Sequence, residues 1–187
     1  YIPTEYQQEL IDSILEGKNV IVKSARQMGT STTMLYCIRE LCLRNPGKKI
    51  IVHCVHNDYA KSFCQKLALN DEGIKVKNKF SIEYNNGSIV ECYSSKNLMC
   101  SQRKDGYDRF YDLYEFQDHK TLNETEVCYT NCQNRFYSFT GNNDFERDGF
   151  ETLKWNWTLN PNWDDNWFNE QKRMLGETLA KKEYEVN

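Results

Sequence analysis

No apolar run in the 187 residues approaches the ~18 that a membrane-spanning helix needs, and no signal-peptide pattern opens the chain. An excess of basic charge is also missing: 24 Lys and Arg stand against 27 Asp and Glu, a net charge of −3. That excludes a protein whose whole surface grips nucleic acid, although a local basic patch survives the arithmetic. Internal repeats and low-complexity segments are absent, and 39% hydrophobic with 27% charged residues excludes a disordered tail. One soluble domain over residues 1–187 is the expectation. The chain opens on Tyr1 rather than Met, as a piece of a longer polypeptide would.

No CxxC pair occurs among the eight cysteines. Most of them fall inside apolar periodic segments, Cys37 and Cys42 in a helix pattern and Cys54 in a strand, where Cys behaves as a small hydrophobe. A domain this large has enough core to fold without disulfides. His53 and His56 flank Cys54, but alternation on a strand points neighbours to opposite faces, which argues against a metal site. A reduced, cytosolic environment follows, and the Asn-x-Ser/Thr triplets at Asn86, Asn123 and Asn156 then carry no glycan.

What is present is an alternation of strands and helices. Thr4 caps a helix with Tyr6, Leu10, Ile11, Ile14 and Leu15 on one face, ended by Gly17. Asn19 to Ser24 reads as a buried strand. A polar loop from Ala25 to Gly29 leads to a helix over Ser31–Leu43, closed by Asn45-Pro46-Gly47. A second buried strand over Lys49–Val55 and a helix over Asp58–Leu69 follow. Phe80–Tyr84 and Ser88–Tyr93 form a hairpin around Asn85-Asn86-Gly87. Beyond it the pattern predicts a strand over Arg109–Phe116, a helix over Asn123–Cys132, and strands over Arg135–Thr140 and Thr152–Leu159. A final amphipathic helix over Asp165–Glu185 has a break at Gly176. This is an α/β domain with a mostly parallel sheet flanked by helices on both faces.

In such a sheet the turn from the first strand to the first helix gathers backbone N–H groups at a helix N-terminus, where phosphates bind. Here that turn reads Ser24-Ala-Arg-Gln-Met-Gly29-Thr30-Ser31. Against the P-loop pattern the second Gly and the Mg²⁺-side hydroxyl, Ser31, are in place, but Thr30 stands where Lys belongs. The crowded tryptophans Trp155, Trp157, Trp163 and Trp167 are surrounded by Glu151, Asp164 and Asp165. Core packing or a protein interface suits them better than stacking on single-stranded nucleic acid.

Tyr6-Gln7 together with Lys23-Ser24-Ala25-Arg26-Gln27-Met28-Gly29 resembles the ATPase domain of the large terminase subunit of tailed bacteriophages. Some lambdoid members carry Lys-Ser-Ala-Arg there and lack the usual Lys. The likeness continues through Asn86-Gly87-Ser88, the Arg103 to Tyr107 step, and Leu175-Gly176 with Glu183-Tyr184. It implies a P-loop NTPase of the ASCE type that binds ATP and Mg²⁺ and powers packaging of double-stranded viral DNA through a portal. It also implies a small terminase subunit as partner, self-assembly into a ring on the portal, and the cytoplasm of the infected host. The family's nuclease half is not in this stretch of chain.

By that resemblance Gln7 would read the adenine edge; the residues alone leave open that Gln7 completes a capping box begun by Thr4. The backbone of Ser24, Ala25, Gln27, Met28, Gly29 and Thr30 would cradle the phosphates and Ser31 would hold Mg²⁺. Lys23 or Arg26 would replace the missing cation. Thr140, in Phe139-Thr140-Gly141-Asn142, would take the place of the element coupling hydrolysis to motion, with Asn142 orienting a phosphate or capping a following helix. The family's paired Asp-Glu is missing from Arg109–Asp118. One register puts Glu115 in the metal position and Phe116 in the catalytic one; another puts Asp112 and Leu113 there. Either loses the water-activating carboxylate, so a catalytically dead module that keeps the fold as an assembly surface is the alternative.

Overall fold

The computed structural model describes residues 1–54, 56–69, 73–94, 107–113, 132 and 134–187. The helix α1 (Glu5–Leu15) precedes the strand β1 (Val20–Ser24), the helix α2 (Thr30–Arg44), the strand β2 (Lys49–Cys54) and the helix α3 (Asn57–Leu67). Strands β3 (Ile74–Lys77), β4 (Ser81–Tyr84), β5 (Ile89–Ser94), β6 (Arg109–Asp112), β7 (Asn134–Thr140) and β8 (Glu151–Trp155) follow. A 3₁₀ turn over Trp157–Leu159 leads to two helices, α4 (Asp165–Leu175) and α5 (Glu177–Tyr184). The predicted helix over Asn123–Cys132 lies outside the described residues, apart from a buried Cys132.

The strands form one sheet in the order β3-β4-β5-β2-β6-β7-β1-β8. From β5 to β8 every pairing is parallel, and β3 and β4 add antiparallel strands at one edge. β7 therefore separates β1 from β6. This is the expected mostly parallel α/β sheet, with the C-terminal ends of β1, β7 and β8 level at one rim, where open α/β sheets bind ligands. Strand alternation divides the core. Val20 and Val22 face a cluster with Leu10, Ile14, Met34 and Ile38 of the helices, whereas Ile21 joins Ile51, Tyr137, Phe139 and Phe145 on the opposite face.

The Asn-Gly hairpin forms where its sequence places it, as a three-residue loop with Gly87 at φ +83°. Its side chains have a second task. Asn86 Nδ2 donates to the Cys42 carbonyl at 2.6 Å, and the Ser88 hydroxyl donates toward Asn45 O at 3.0 Å while accepting the Lys48 amide at 3.2 Å. They satisfy carbonyls that the end of α2 leaves without helical partners. Ser88 is fully buried, so Ser88→Ala strands these groups and is expected to cost about 2 kcal/mol. A urea melt with a lower midpoint and unchanged slope checks it.

Three expectations change. β3 falls outside the predicted strands: Ile74-Lys75-Val76-Lys77 alternates apolar and polar, but over four residues only, and as an edge strand it is half-buried or exposed throughout. The last predicted strand stops at Trp155, since Asn156 Oδ1 accepts the Thr158 amide at 3.3 Å and starts the 3₁₀ turn. No helix follows Asn142 over residues 143–150; its Oδ1 accepts the Asn187 amide at 2.9 Å. Gly176 does divide the last helical stretch, at φ +84°.

The six described cysteines are buried free thiols. Desolvation pushes the Cys37 thiol up to about 12 and Cys132 to about 11. Among the described residues no group of three His, Cys, Asp or Glu side chains converges to hold a metal, and no helix is long and apolar enough to cross a membrane. The tryptophans pack on one another: Trp163 and Trp167 stack with centroids 4.0 Å apart, and Tyr184 meets both edge-on.

Candidate functional site

The loop between β1 and α2 is built from both of its ends. On the β1 side, the Ala25 amide donates to Trp155 O at 2.7 Å, and Gly141 donates to Ser24 O at 2.8 Å. β1 is thus held between its two neighbours to its last residue. Gln27 then takes φ +65° and Gly29 φ +85°, both left-handed, a backbone pattern that turns successive N–H groups toward one side. α2 starts at Thr30 with Gly29 as a cap that offers no side chain. The amides from Gly29 to Thr32 have no partner among the described residues, which leaves the first turn of a 15-residue helix open to an anion.

α1 fixes the loop from outside. Tyr6 OH and Gln7 Nε2 both donate to the Met28 carbonyl, at 3.3 and 3.1 Å, while the Met28 side chain is buried in the core. Gln7 Oε1 accepts the Thr4 amide at 3.1 Å, the Gln half of the capping box. Gly29 is required by its φ, which belongs to the region that glycine tolerates; a Cβ would also stand 2.7 Å from Gln7 Nε2, the movable end of a side chain, and displace it from Met28 O.

Thr30, in the position of the usual Lys, is buried and turns back to Ser24, Oγ to Oγ1 at 3.3 Å. Ser31 Oγ accepts the Tyr59 hydroxyl at 2.6 Å and keeps its own proton and a lone pair. No sequence signal marked Tyr59, which reaches the site from α3. The two candidate cations differ sharply. Arg26 is more than half exposed and its Nε is paired with Glu183 at 2.6 Å; its amide also donates to Glu183 O at 3.1 Å. Lys23 is 3% exposed, on the face of β1 opposite α2, and no described carboxylate pairs with it.

Thr140 ends β7 in register with Ser24. Asp112 ends β6 opposite Tyr137, which is itself opposite Ile21. Asp112 is therefore three residues short of the level of Ser24, roughly 10 Å along the strand. Leu113 is buried, its amide donating to His53 O at 2.9 Å. Glu115 and Phe116 lie outside the described residues, as do Arg103 and Asp118. The structure brings Ser24, Thr30, Ser31, Thr140 and the loop backbone together at one rim, adds Tyr59 and Glu183, and sets Asp112 lower.

No protein-family model matches the sequence, and no curated protein matches it. Solved structures do match in shape. The large terminase of a thermophilic bacteriophage superposes with a TM-score of 0.73 at 7% identity, over 98% of this chain and 53% of that one. Its complex with ATP-gamma-S gives 0.72 at 8% identity, over 97% and 51%. The large terminase ATPase domain of Thermus phage P74-26 gives 0.70 at 13% identity, over 98% and 93%. The chain spans about half the length of the thermophilic phage terminase, and nearly all of the isolated ATPase domain. Its fold is that of the ATPase domain of phage large terminases.

Proposed function

We propose that this chain is a nucleotide-binding motor domain of the terminase type, taking ATP with Mg²⁺ to drive double-stranded viral DNA into a capsid. The observation that carries the reading is the unbonded first turn of α2 behind a left-handed loop, at the rim of a parallel sheet. Partial charge on those amides favours phosphate oxygens. Lys23 supports it as a cation at the end of β1 that no described carboxylate already holds. Ser31 fits the Mg²⁺ position in kind, a hydroxyl with a free lone pair, and Glu115 is the carboxylate we assign beside it. The metal would neutralise phosphate charge. Arg26 would first have to leave Glu183, so Lys23 is the cation available at the outset, and Thr140 is the hydroxyl best placed to sense the phosphate from β7. A portal, a small terminase subunit and neighbouring copies in a ring are the partners this role requires, in the infected cell's cytoplasm.

A second reading has its own support. Leu113, which one register puts in the catalytic carboxylate position, is a buried apolar side chain, and Thr30 carries no charge. A catalytically dead chain, kept for its assembly surfaces, follows from these two facts.

Calorimetric titration with ATP, with and without Mg²⁺, tests the binding common to an active motor. Saturable, Mg²⁺-dependent binding is expected, weakened at least tenfold, ~1.4 kcal/mol, in Lys23→Ala. No binding at millimolar ATP would sink the motor and leave the assembly module. Binding with no hydrolysis in the assembled ring would favour the second reading.

A further inference from the structure

We propose that Gln7 is a positioning residue for the phosphate loop and that this site does not read the base of its nucleotide. This rests on the nucleotide reading above and deepens it. Reading adenine by a carboxamide takes an acceptor for the amino group and a donor for the ring nitrogen, side by side. The orientation of the Gln7 amide is settled by its partners. The Thr4 amide can only donate, so Oε1 faces it, and the Met28 carbonyl can only accept, so Nε2 faces that.

The acceptor is then occupied on both sides. Thr4 N–H stands at 3.1 Å and the Tyr1 hydroxyl at 3.0 Å from Oε1. Tyr1 is itself placed, with its hydroxyl 2.9 Å from Thr33 Oγ1 and its ring 5.3 Å from that of Tyr36. Thr33 Oγ1 also donates to Gly29 O at 3.1 Å. The two hydroxyl protons serve three contacts, so the Tyr1 proton is shared. Whichever way it points, the Tyr1 oxygen fills the space that an adenine amino group would need.

One N–H of Nε2 goes to Met28 O, and one remains. A lone N–H can donate to the ring nitrogen N7 of adenine and of guanine alike, and cannot separate an amino group from a carbonyl at the next position. What Gln7 does hold is the loop: Nε2 sits against Gly29 and pulls on Met28 O, so its effect passes to the phosphates and not to the base.

The test is calorimetry of the whole chain with Mg²⁺–ATP, Mg²⁺–GTP and inorganic tripolyphosphate, repeated on Gln7→Ala and Gln7→Glu. Gln7→Glu keeps the acceptor toward Thr4 and Tyr1 but exchanges the donor to Met28 for a carboxylate oxygen and a negative charge, so Gln7→Ala alone reports the lost donor without added repulsion, and a larger loss in Gln7→Glu measures the charge; a thermal melt of each variant verifies folding. ATP and GTP are expected to bind the parent within about threefold of each other. Each variant is expected to weaken ATP, GTP and tripolyphosphate by a common factor of several-fold. A tenfold or greater preference for ATP that Gln7→Ala abolishes, with tripolyphosphate unmoved, would overturn the inference while leaving the nucleotide reading intact. Failure of all three ligands to bind the parent would overturn both.

Discussion

Gly141→Ala is expected to detach α5 from the rim of the sheet and lower stability by about 3 kcal/mol or more. Gly141 sits at φ +71°, and a Cβ there would fall on the Lys182 carbonyl oxygen, with Lys182 C at 3.1 Å and Glu183 Cα at 3.6 Å. These are backbone atoms, so no rotamer change relieves the clash. The left-handed conformation costs an alanine roughly 1–2 kcal/mol, and overpacking against a fixed wall adds about 1–3 kcal/mol. Ala180 and Tyr184 pack α5 into the core, so the clash is relieved only by moving the whole helix. The Arg26–Glu183 contacts, Asn156 Nδ2 to Val186 O at 3.1 Å, and the Asn187 amide to Asn142 carry much of its polar attachment. Once it lifts, Tyr184 leaves the edge of the Trp163–Trp167 stack. Near-ultraviolet circular dichroism should lose the tryptophan signal while far-ultraviolet helix content falls only slightly, and the urea midpoint should drop. An unchanged midpoint with an intact aromatic signal would show that α5 has room to move.

The strand-to-loop-to-helix unit at the site was legible because its signals are local. A run of buried residues over Val20–Ser24, a glycine, and a helix start rich in hydroxyls need no partner elsewhere to be read. The hairpin was legible for the same reason, since Asn86-Gly87 dictates its turn. Side-chain roles were not. That Asn86 and Ser88 close the end of α2, that Tyr59 from α3 holds Ser31, and that Glu183 near the C-terminal end holds Arg26 are all contacts across long stretches of chain. Periodicity carries no trace of them. Gln7 lay between: the spacing from Thr4 gave the capping-box alternative, while its second bond, to Met28, depends on how α1 packs against the loop. The insertion of β7 between β6 and β1 is likewise a property of the assembled sheet, and no pattern of residues carries it.

Gly29→Ala should strike both stability and binding, and the split between them bears on whether the loop is a phosphate cradle. In the native loop Gly29 is left-handed at φ +85°, and a Cβ would come within 2.7 Å of Gln7 Nε2. Two responses are open to an alanine. It can keep the conformation, at roughly 1–2 kcal/mol for the backbone and about 1 kcal/mol more for a displaced Gln7–Met28 hydrogen bond. Alternatively its φ reverts to negative values, which relieves the strain but rotates the Gly29 and Thr30 amides away from the common side they now face. Either way the melt should fall by about 2 kcal/mol. If those amides hold phosphate, affinity for Mg²⁺–ATP and for tripolyphosphate should drop together, on the order of thirtyfold or ~2 kcal/mol. The effect should exceed that of Lys23→Ala, because the substitution disturbs several donors where Lys23→Ala removes one. A chain that loses stability but binds tripolyphosphate as before would place the phosphates elsewhere on the rim. The unbonded first turn of α2 would then be a feature of the fold and not of its chemistry.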